Sequence, residues 1–340
     1  MKVLVTGSQG YIGSNLVFVL EDKGHEVTGL DTGFFKKAKL YDHGRQEVSL
    51  ITKDVRDVTF SDLKGFDAIV HLAELSNDPL GQTDPELTYS INHKGTAHLV
   101  KEAKKAGVGR FIYASSCSIY GASDEIRDET STPNPLTAYA KCKVLNEDLL
   151  KREATKSFTP VVLRFATVYG LSPRLRFDLV VNSLAGLAFT TGEIKMDSDG
   201  TPWRPLTHVL DIAEAVACAL VAPKEIVNKE IFNVGNEASN YQIKDIAALI
   251  KKEFPNASVS LNPNGADKRN YKVDFKKINT RLPGFSCTRT IGTGVKELKV
   301  AFEKVKLTEE MLESRDFTRL KQIMHLRSTG KLNESLFWTA

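Results

Sequence analysis

The sequence predicts an α/β protein built on a doubly wound parallel sheet, followed by a smaller α+β C-terminal lobe. Three observations favour this class. A strand, a glycine-rich turn and a helix open the chain; short apolar strands rich in β-branched residues recur after them; and helical patterns separate these strands over the first half. We expect the sheet within residues 1–170, the lobe mainly within 171–340, and one late strand near 230–235 that returns to the sheet.

The chain begins with the pattern of a dinucleotide site. The apolar run Lys2–Thr6 predicts a buried parallel strand, and it leads into a turn that contains Gly7, Gly10 and Gly13. Glycines let the backbone turn tightly and approach a ligand, and the N-terminus of the following helix receives a pyrophosphate. Asp31 closes the second strand, where a carboxylate binds the adenosine ribose and repels a 2′-phosphate. The predicted cofactor is therefore NAD, the alternative being that the glycines only make a turn.

The remaining elements continue the alternation. Further strands of the first half are predicted at residues 48–51, 68–72 and 109–114, with a helix at 97–106. The second half is predicted to hold strands at 161–164, 230–235, 259–261 and 271–275, a helix at 243–254 and further helices from residue 293 onward. We expect the strands at 161–164 and 230–235 to extend the parallel sheet.

Length and composition bound the class of protein. The 340 residues suit one large domain or two closely packed ones, and 41% hydrophobic with 26% charged residues is ordinary for a folded protein. The net charge of +4 is spread over charges of both signs, so we expect no nucleic-acid partner. No apolar stretch is long enough for a membrane span, and the first residues read as a strand rather than a signal peptide. Four scattered cysteines predict a cytoplasmic protein without a metal site.

A tyrosine and a lysine mark the predicted catalytic site. Tyr139 and Lys143 are four residues apart, on one face of a helix that Thr137 can cap. An ammonium group at that distance lowers the pKa of a tyrosine from about 10 toward neutrality, so that its phenolate can take a proton from a sugar hydroxyl. Ser116 ends the fifth strand, at the sheet edge where a cofactor binds, and its hydroxyl is well placed to assist.

The order of these motifs resembles the extended short-chain dehydrogenase/reductase family, in the NAD-dependent nucleotide-sugar epimerase/dehydratase group that includes UDP-galactose 4-epimerase. The resemblance runs from Met1 to about Asn240. The matching positions, each common alone and specific in this order, are Gly7, Gly10 and Gly13, Asp31, Asp54 with Val55, His71 to Ala73, Asn92 with Gly95 and Thr96, Ser116 to Gly121, Tyr139 with Lys143, Arg164 to Gly170, and Arg204 with His208.

The resemblance implies roles for these residues and a lobe that binds a nucleotide-diphosphate sugar. The NAD-binding set is Gly7, Gly10, Tyr11, Ile12, Gly13, Asp31, Asp54, Val55, Leu72, Ala73, Tyr139 and Lys143. Ser116 binds the sugar hydroxyl, Tyr139 is the acid/base, and Lys143 holds the nicotinamide ribose. Arg204 pairs with the substrate diphosphate, unless it is a surface arginine. Asn92 is expected to brace backbone near the site.

Several positions depart from the family pattern and leave the substrate open. Glu74 stands where relatives have alanine; it is either a second acid/base or, as we expect, a carboxylate bound to a neighbouring backbone amide. Thr167 replaces an asparagine that often touches substrate. Arg176 and Arg269 are candidates for binding phosphate or a sugar acid, the alternative being that each belongs to a solvated loop.

The residues after Ser116 separate reaction types. Relatives that are 4,6-dehydratases carry Asp-Glu there, whereas this chain has Cys117 and Ser118. A thiol with a pKa of about 8.5 is a poor copy of that acid, and a small core residue is the simpler interpretation of Cys117. We therefore expect epimerisation by transient oxidation of a sugar hydroxyl at carbon four. The alternatives are an NAD(P)H-dependent 4-ketosugar reductase, an atypical dehydratase that uses Cys117 and Glu74, and a non-catalytic dinucleotide-binding regulator.

Two helices predict a homodimer, because members of this family pair such helices across a two-fold axis. Their apolar stripes consist of Ala97, Leu99, Val100 and Ala103 on one helix and Val144, Leu145 and Leu149 on the other. Burial of both stripes inside the monomer is the alternative.

Overall fold

The computed structural model describes residues 1–76, 84–262 and 270–339. Its strands, in chain order, are β1 (Lys2–Thr6), β2 (Glu26–Asp31), β3 (Ser49–Thr52), β4 (Ala68–His71), β5 (Arg110–Ser116), β6 (Ile126–Arg127), β7 (Thr159–Phe165), β8 (Thr167–Tyr169), β9 (Glu193–Met196), β10 (Trp203–His208), β11 (Ile231–Val234), β12 (Asn240–Gln242), β13 (Ser258–Leu261) and β14 (Lys272–Val273). Seven of them form one parallel sheet in the order β11-β7-β5-β4-β1-β2-β3. The predicted fold class is confirmed.

Helices cover both faces of this sheet. In chain order they are α1 (Gly13–Asp22), α2 (Phe60–Leu63), α3 (Pro85–Thr88), a π-helix (Tyr89–Lys94), α4 (Gly95–Lys105), α5 (Ala138–Glu153), α6 (Val180–Thr190), α7 (Val209–Val221), α8 (Lys224–Val227), α9 (Ile243–Glu253), α10 (Lys276–Arg281), α11 (Ile291–Val305), α12 (Glu309–Glu313) and α13 (Arg319–Ser328). Apolar residues of α1 and α7 pack on one face, and those of α4 and α5 on the other. Among the described helices, none is long and apolar enough to cross a membrane.

The second half of the chain contributes to the sheet and also builds a separate apolar core. The expected late strand is confirmed: β11 pairs with β7 at the sheet edge, and α7 packs on β1 and α1 residues. The other core lies among α6, α9 and α11, where Leu184, Ile246, Leu298 and Phe302 are buried together. Here β8, β10 and β12 form a small sheet, and β13 pairs with β9. A division at residue 170 therefore stays a prediction.

The apolar stripe on α4 lies inside the monomer. Leu99, Val100 and Ala103 are almost completely buried against the sheet. They therefore do not form the two-fold face that the sequence suggested. An apolar stripe on a helix has the same sequence pattern whether a sheet or a second chain covers it, so the pattern could not distinguish the two. On α5, by contrast, Leu145 is 39% exposed.

Candidate active site

The carboxyl ends of the parallel strands gather the predicted site residues at one edge of the sheet. Thr6 at the end of β1 pairs in register with Leu30 on β2 and with His71 on β4, and β5 runs beside β4 to end at Ser116. Ligands of doubly wound sheets bind outside this edge. The fold thus brings the glycine turn, Asp31 and the serine strand to a common opening.

The turn after β1 is too tight for side chains. Gly7 has φ +70°, and a Cβ on it would lie 2.9 Å from the amide nitrogen of Ala73. A Cβ on Gly13 would lie 2.2 Å from the carbonyl oxygen of Gly7. The turn therefore exposes backbone at the start of α1, where unsatisfied N–H groups favour an anion, and this fits a dinucleotide diphosphate.

Asp31 is fixed beside the turn. Its Oδ2 accepts a hydrogen bond from the Gln9 amide at 3.1 Å, and its Oδ1 accepts one from the Gly33 amide at 2.8 Å. Burial raises the pKa of this carboxyl, against the two backbone hydrogen bonds that lower it. The carboxylate is thus held between the glycine turn and the loop after β2, as an adenosine ribose contact requires.

The predicted adenine-side acid is already engaged by an arginine. The Asp54 carboxylate accepts two guanidinium hydrogen bonds from Arg56, at 2.9 and 2.8 Å, and one from the Arg56 amide at 2.8 Å. Val55 is buried in the core below it. Leu72 and Ala73 lie at the other side of the turn, where their amides donate to the Thr6 hydroxyl at 3.2 Å.

Tyr139 and Lys143 lie on α5, whose start is capped as predicted. Thr137 accepts a hydrogen bond from the Ala140 amide at 3.2 Å. The Lys143 ammonium lies 5.1 Å from the centroid of the Tyr139 ring and donates to the carbonyl oxygen of Ala114 on β5. The lysine is 4% exposed, so its charge acts on the tyrosine with little screening by water.

The partner of Lys143 is Glu74. The ammonium lies 2.6 Å from the Glu74 carboxylate, and both side chains are at most 5% exposed. The Tyr113 hydroxyl donates to the same carboxylate at 2.7 Å. Burial raises the pKa of Glu74, against Lys143 and Tyr113, which lower it. Burial alone would lower the pKa of Lys143, but the Glu74 carboxylate raises it above its ordinary value.

The expected backbone-amide partner of Glu74 is therefore wrong. The carboxylate instead binds two side chains, of which one belongs to the predicted catalytic set.

Asn92 braces the backbone beside this pair, as predicted. Its Oδ1 accepts from the Leu75 amide at 2.8 Å, and its Nδ2 donates to the Leu75 carbonyl at 3.0 Å. Asn92 lies on the π-helix, an irregularity that often occurs near functional sites. Asn146 on α5 donates to the Asn92 carbonyl at 2.7 Å and to the Tyr113 hydroxyl at 2.9 Å, so one network joins the Glu74 segment to α5.

Ser116 and Cys117 have different surroundings. Ser116 is half-buried at the end of β5, where its hydroxyl accepts from the Ser118 amide at 3.1 Å. Cys117 is completely buried, and its Sγ lies 3.4 Å from the Arg164 carbonyl. Burial raises the pKa of this thiol far above its ordinary value. These surroundings favour the interpretation of Cys117 as a core residue.

The predicted substrate residues are spread over the loops of the second half. Arg176 lies within electrostatic range of Tyr139, forms a bidentate pair with Asp178 at 2.9 and 2.7 Å, and donates to the Ser76 hydroxyl at 3.1 Å. Thr167 starts β8 and Arg204 is buried on β10, whose Leu206 pairs with Thr167. Arg269 lies outside the described residues.

Sequence reasoning missed Tyr113, Asn146 and Arg319. Asn146 follows Lys143 by three residues on the same helix face, a spacing that could have pointed to it. For Tyr113, alternation along β5 gives no sign of its hydroxyl partner. Arg319 lies near the end of the chain, and nothing in the sequence connects it with residues near the start.

A doubly wound sheet with a glycine turn at its carboxyl edge and a tyrosine–lysine pair beside it defines the short-chain dehydrogenase class. The chain belongs to the NAD dependent epimerase/dehydratase family, which matches residues 3–235. The resemblance drawn from the sequence is thereby confirmed. The protein is an NAD-dependent enzyme of the epimerase/dehydratase type.

Individual relatives extend over most of the chain. UDP-glucose 4-epimerase of Lactobacillus helveticus is 28% identical over 306 residues, covering 83% of this chain and 91% of the relative. UDP-N-acetyl-alpha-D-glucosaminuronate decarboxylase of Bacillus cytotoxicus is 28% identical over 293 residues, covering 83% and 88%. A solved UDP-glucuronic acid 4-epimerase from Bacillus cereus, in complex with UDP-glucuronic acid and NAD, is 25% identical with a TM-score of 0.77, covering 90% of this chain and all of that chain. The relatives differ in the reaction they carry out.

Proposed function

We propose that the protein is a nucleotide-sugar epimerase that transiently oxidises a sugar hydroxyl at carbon four. The observation that carries this proposal is the set of Ser116, Tyr139 and Lys143 without an acid pair after the serine. Cys117 is buried with its thiol toward the Arg164 carbonyl, so it offers no acid to a leaving hydroxyl. Water elimination of the usual kind lacks its proton donor here.

Each residue of the set has a definite task. Tyr139 takes the proton of the sugar hydroxyl and later returns it, while Ser116 donates a hydrogen bond that orients the sugar oxygen. Lys143 binds the nicotinamide ribose and, from 5.1 Å, favours the phenolate of Tyr139. When bound, NAD would supply the acceptor for the hydride that leaves carbon four as the hydroxyl on that carbon gives its proton to Tyr139.

We expect the enzyme to bind its substrate through a nucleotide diphosphate group. The UDP-sugar relatives support this class, and arginine suits a diphosphate because its fork binds two oxygens at once. Arg176 is the better supported contact, since it lies within electrostatic range of Tyr139. Arg204 and Thr167 remain candidates from the adjoining strands of the small sheet.

The test is a panel of UDP-, dTDP-, GDP- and CDP-sugars, together with 4-keto sugars, incubated with the protein in deuterated water and followed by NMR. We expect inversion at carbon four with no deuterium at carbon five. Deuterium at carbon five would show enolisation and therefore dehydration or 5-epimerisation. Stoichiometric consumption of added NADH would instead support the 4-ketosugar reductase.

Replacing Tyr139 by phenylalanine separates catalysis from binding. We expect Tyr139→Phe to lose conversion while it keeps bound NAD and bound nucleotide sugar. Unchanged biological activity in this variant would support the dinucleotide-binding regulator and overturn the enzyme reaction proposed here.

We also propose a homodimer through the outer face of α5. Leu145 is 39% exposed there, and Val144 and Leu149 are half-buried beside it. An apolar row on an exposed helix face suits an isologous contact. Light scattering should give the dimer mass for the native chain and the monomer mass for Leu145→Glu; a monomeric native chain would refute this pairing.

A further inference from the structure

The end of the chain folds back onto the start. The helix α13 and the residues after it, which we call the C-terminal segment (residues 319–339), lie against the loop that follows Asp31. Gln322 donates to the Phe34 carbonyl at 3.1 Å, and the Trp338 indole donates to the Thr32 carbonyl at 2.7 Å. The rings of Phe34 and Trp338 meet edge to face at 5.6 Å. Asp31, the predicted contact of the adenosine ribose, is thus followed directly by a loop that packs against the C-terminal segment.

The same segment reaches the adenine side. The guanidinium of Arg56, which binds the Asp54 carboxylate, lies 3.8 Å above the ring of Phe337. An arginine on an aromatic face is held by cation–π attraction and by packing. The C-terminal segment therefore contacts Thr32, which follows Asp31, and Arg56, which binds Asp54. Asp31 and Asp54 are the two acids that were predicted to bind the adenosine half of NAD.

An apolar cluster anchors the C-terminal segment between these contacts. It joins side chains of α13 and of the residues after it to Phe34, to Leu75, and to side chains of α3 and the π-helix. Its buried members are Phe34, Leu75, Leu87, Ile91, Ile323, Leu326, Leu332 and Leu336. Burial of this many large apolar side chains holds the segment in one position, because exposing them to water is unfavourable.

Arg319, at the start of α13, is a buried cation that forms no ion pair within 4 Å among the described residues. It is 6% exposed, its guanidinium lies 4.3 Å above the ring of Phe35, and its Nη2 donates to the Arg174 carbonyl at 3.2 Å. Its Nη1 is buried and has no hydrogen-bond partner among the described residues. Burial and the neighbouring Arg176 lower the pKa of Arg319 to about 9.

The carboxylates within electrostatic range of Arg319 already have other partners. Arg174 and Arg176 lie within this range, as do Asp31 and Asp178. Asp178 is taken up by its bidentate pair with Arg176, and Asp31 by two backbone amides. A buried cation left unpaired in a protein is costly, and among the described residues Arg319 lacks an anion of its own.

The position of Arg319 identifies that anion. It lies within electrostatic range of Asp31, the predicted ribose contact, and of Arg176, which is within such range of Tyr139. Its Nη2 donates to the carbonyl of Arg174, two residues after Ser172, whose hydroxyl donates to the Tyr11 carbonyl in the glycine turn. The diphosphate of a dinucleotide bound between Asp31 and Tyr139 is the anionic group that lies in the middle. A charged N–H group forms strong hydrogen bonds with phosphate oxygens, so the unpartnered Nη1 suits this anion.

We propose that the C-terminal segment is part of the NAD site: Arg319 binds the NAD diphosphate with its free Nη1, and residues 332–338 wall the adenosine half. NAD is then held from both sides, by the glycine turn and by the end of the chain. The inference does not depend on which sugar reaction the enzyme carries out, because it concerns only the cofactor.

The test uses the full-length protein freed of cofactor, with calorimetric titration of NAD, ADP and adenosine. Arg319→Met keeps a long apolar stem over Phe35 but removes the charge. We expect it to bind ADP and NAD at least tenfold more weakly, about 1.4 kcal/mol, while adenosine affinity stays within about twofold. Arg315→Met, an exposed arginine four residues earlier, is the matched control and should change none of the three affinities.

Comparing ADP with adenosine, which lacks the diphosphate, distinguishes a diphosphate contact from a structural role of Arg319. An equal loss for adenosine and ADP would mean that Arg319 only supports the fold, and would overturn the proposal. Unchanged affinity for ADP and NAD would overturn it as well. Arg319→Lys, which retains the charge without the fork, must bind ADP more tightly than Arg319→Met.

The wall is tested separately. The double variant Phe337→Ala with Trp338→Ala should weaken adenosine and NAD by the same factor and should purify with less bound NAD than the native protein. Met324→Ala, whose side chain is 59% exposed on α13, is the control. Full NAD content and unchanged adenosine affinity in the double variant would overturn this part of the proposal.

Discussion

The charge of Glu74 should control the acidity of Tyr139, and its removal is the perturbation we develop first. Glu74 and Lys143 form a buried ion pair at 2.6 Å, and the ammonium lies 5.1 Å from the Tyr139 ring. The lysine favours the phenolate and the carboxylate opposes it. Glu74→Gln removes only the opposing charge, so the pKa of Tyr139 should fall.

The distances give the magnitude. With an effective dielectric constant of about 20, a unit charge at 5.1 Å, the distance from the Lys143 ammonium to the ring centre, is worth about 3 kcal/mol. The Glu74 carboxylate lies at most about 7.7 Å from the ring centre, the sum of the two distances, and opposes this by about 2 kcal/mol. We therefore predict that Glu74→Gln, by removing this repulsion of about 2 kcal/mol, lowers the pKa of Tyr139.

Neighbouring groups do not alter the sign. Within the described part of the chain, the ionisable side chains that act on the pair or on Tyr139 include His71, Tyr113, Cys142 and Arg176. Burial lowers the pKa of His71 to about 3, so this residue stays neutral. Burial, with Glu74 next to it, raises the pKa of Tyr113 well above the ordinary value, so it does not titrate in the same range.

The assay is a pH titration of phenolate absorbance in the ultraviolet. Each protein is compared with its own Tyr139→Phe counterpart, so that the difference isolates one hydroxyl and needs no substrate. Tyr113→Phe is the matched control, because it removes a donor to Glu74 without removing charge, and its shift should be well below one unit. A pKa of Tyr139 that stays the same or rises in Glu74→Gln would refute the reasoning.

Three further predictions concern the turn, the lysine and the thiol. Gly13→Ala places a Cβ 2.2 Å from the Gly7 carbonyl, so it should lower the unfolding free energy by about 1–3 kcal/mol and lower the NAD content of the purified protein. Gly109→Ala, whose Cβ would have its nearest contact at 3.8 Å, is the control and should change neither quantity. Lys143→Met should lose most bound NAD and all conversion, while the exposed Lys141→Met should lose neither; equal effects would contradict the role of Lys143. Cys117→Ser should keep its activity within about threefold, because the buried thiol takes no part in the reaction, and it should change stability by roughly 1 kcal/mol, as a typical single substitution does. A selective loss of activity in a stable protein would instead show that Cys117 belongs to the site.

The periodic parts of the fold were predictable from sequence. Strand β1 is found at the predicted residues Lys2–Thr6, and the second strand differs by one residue at each end. Strand β1 is apolar, rich in valine and buried except at Lys2, so local pattern and tertiary environment agree there. The predicted strand at 271–275 shortens to Lys272–Val273, because its only strand partner among the described residues is the two-residue β6.

The parts that escaped prediction depend on contacts between distant residues. Glu74 meets Lys143 across 69 positions of the chain, and they come together because α5 packs against β5, which pairs with β4. Trp338 binds Thr32 across 306 positions. Patterns of spacing report on one element at a time, so they locate Tyr139 and Lys143 but not the carboxylate that tunes them.

The most direct measurement of the chemistry follows a deuterium label at carbon four of the nucleotide sugar that the substrate panel identifies. If Tyr139 removes the hydroxyl proton while the hydride moves to resident NAD and back, the inverted product should carry the label at the same carbon. Product that has lost this deuterium to the solvent, or that retains the original configuration at carbon four, would contradict transient oxidation at the Ser116, Tyr139 and Lys143 site.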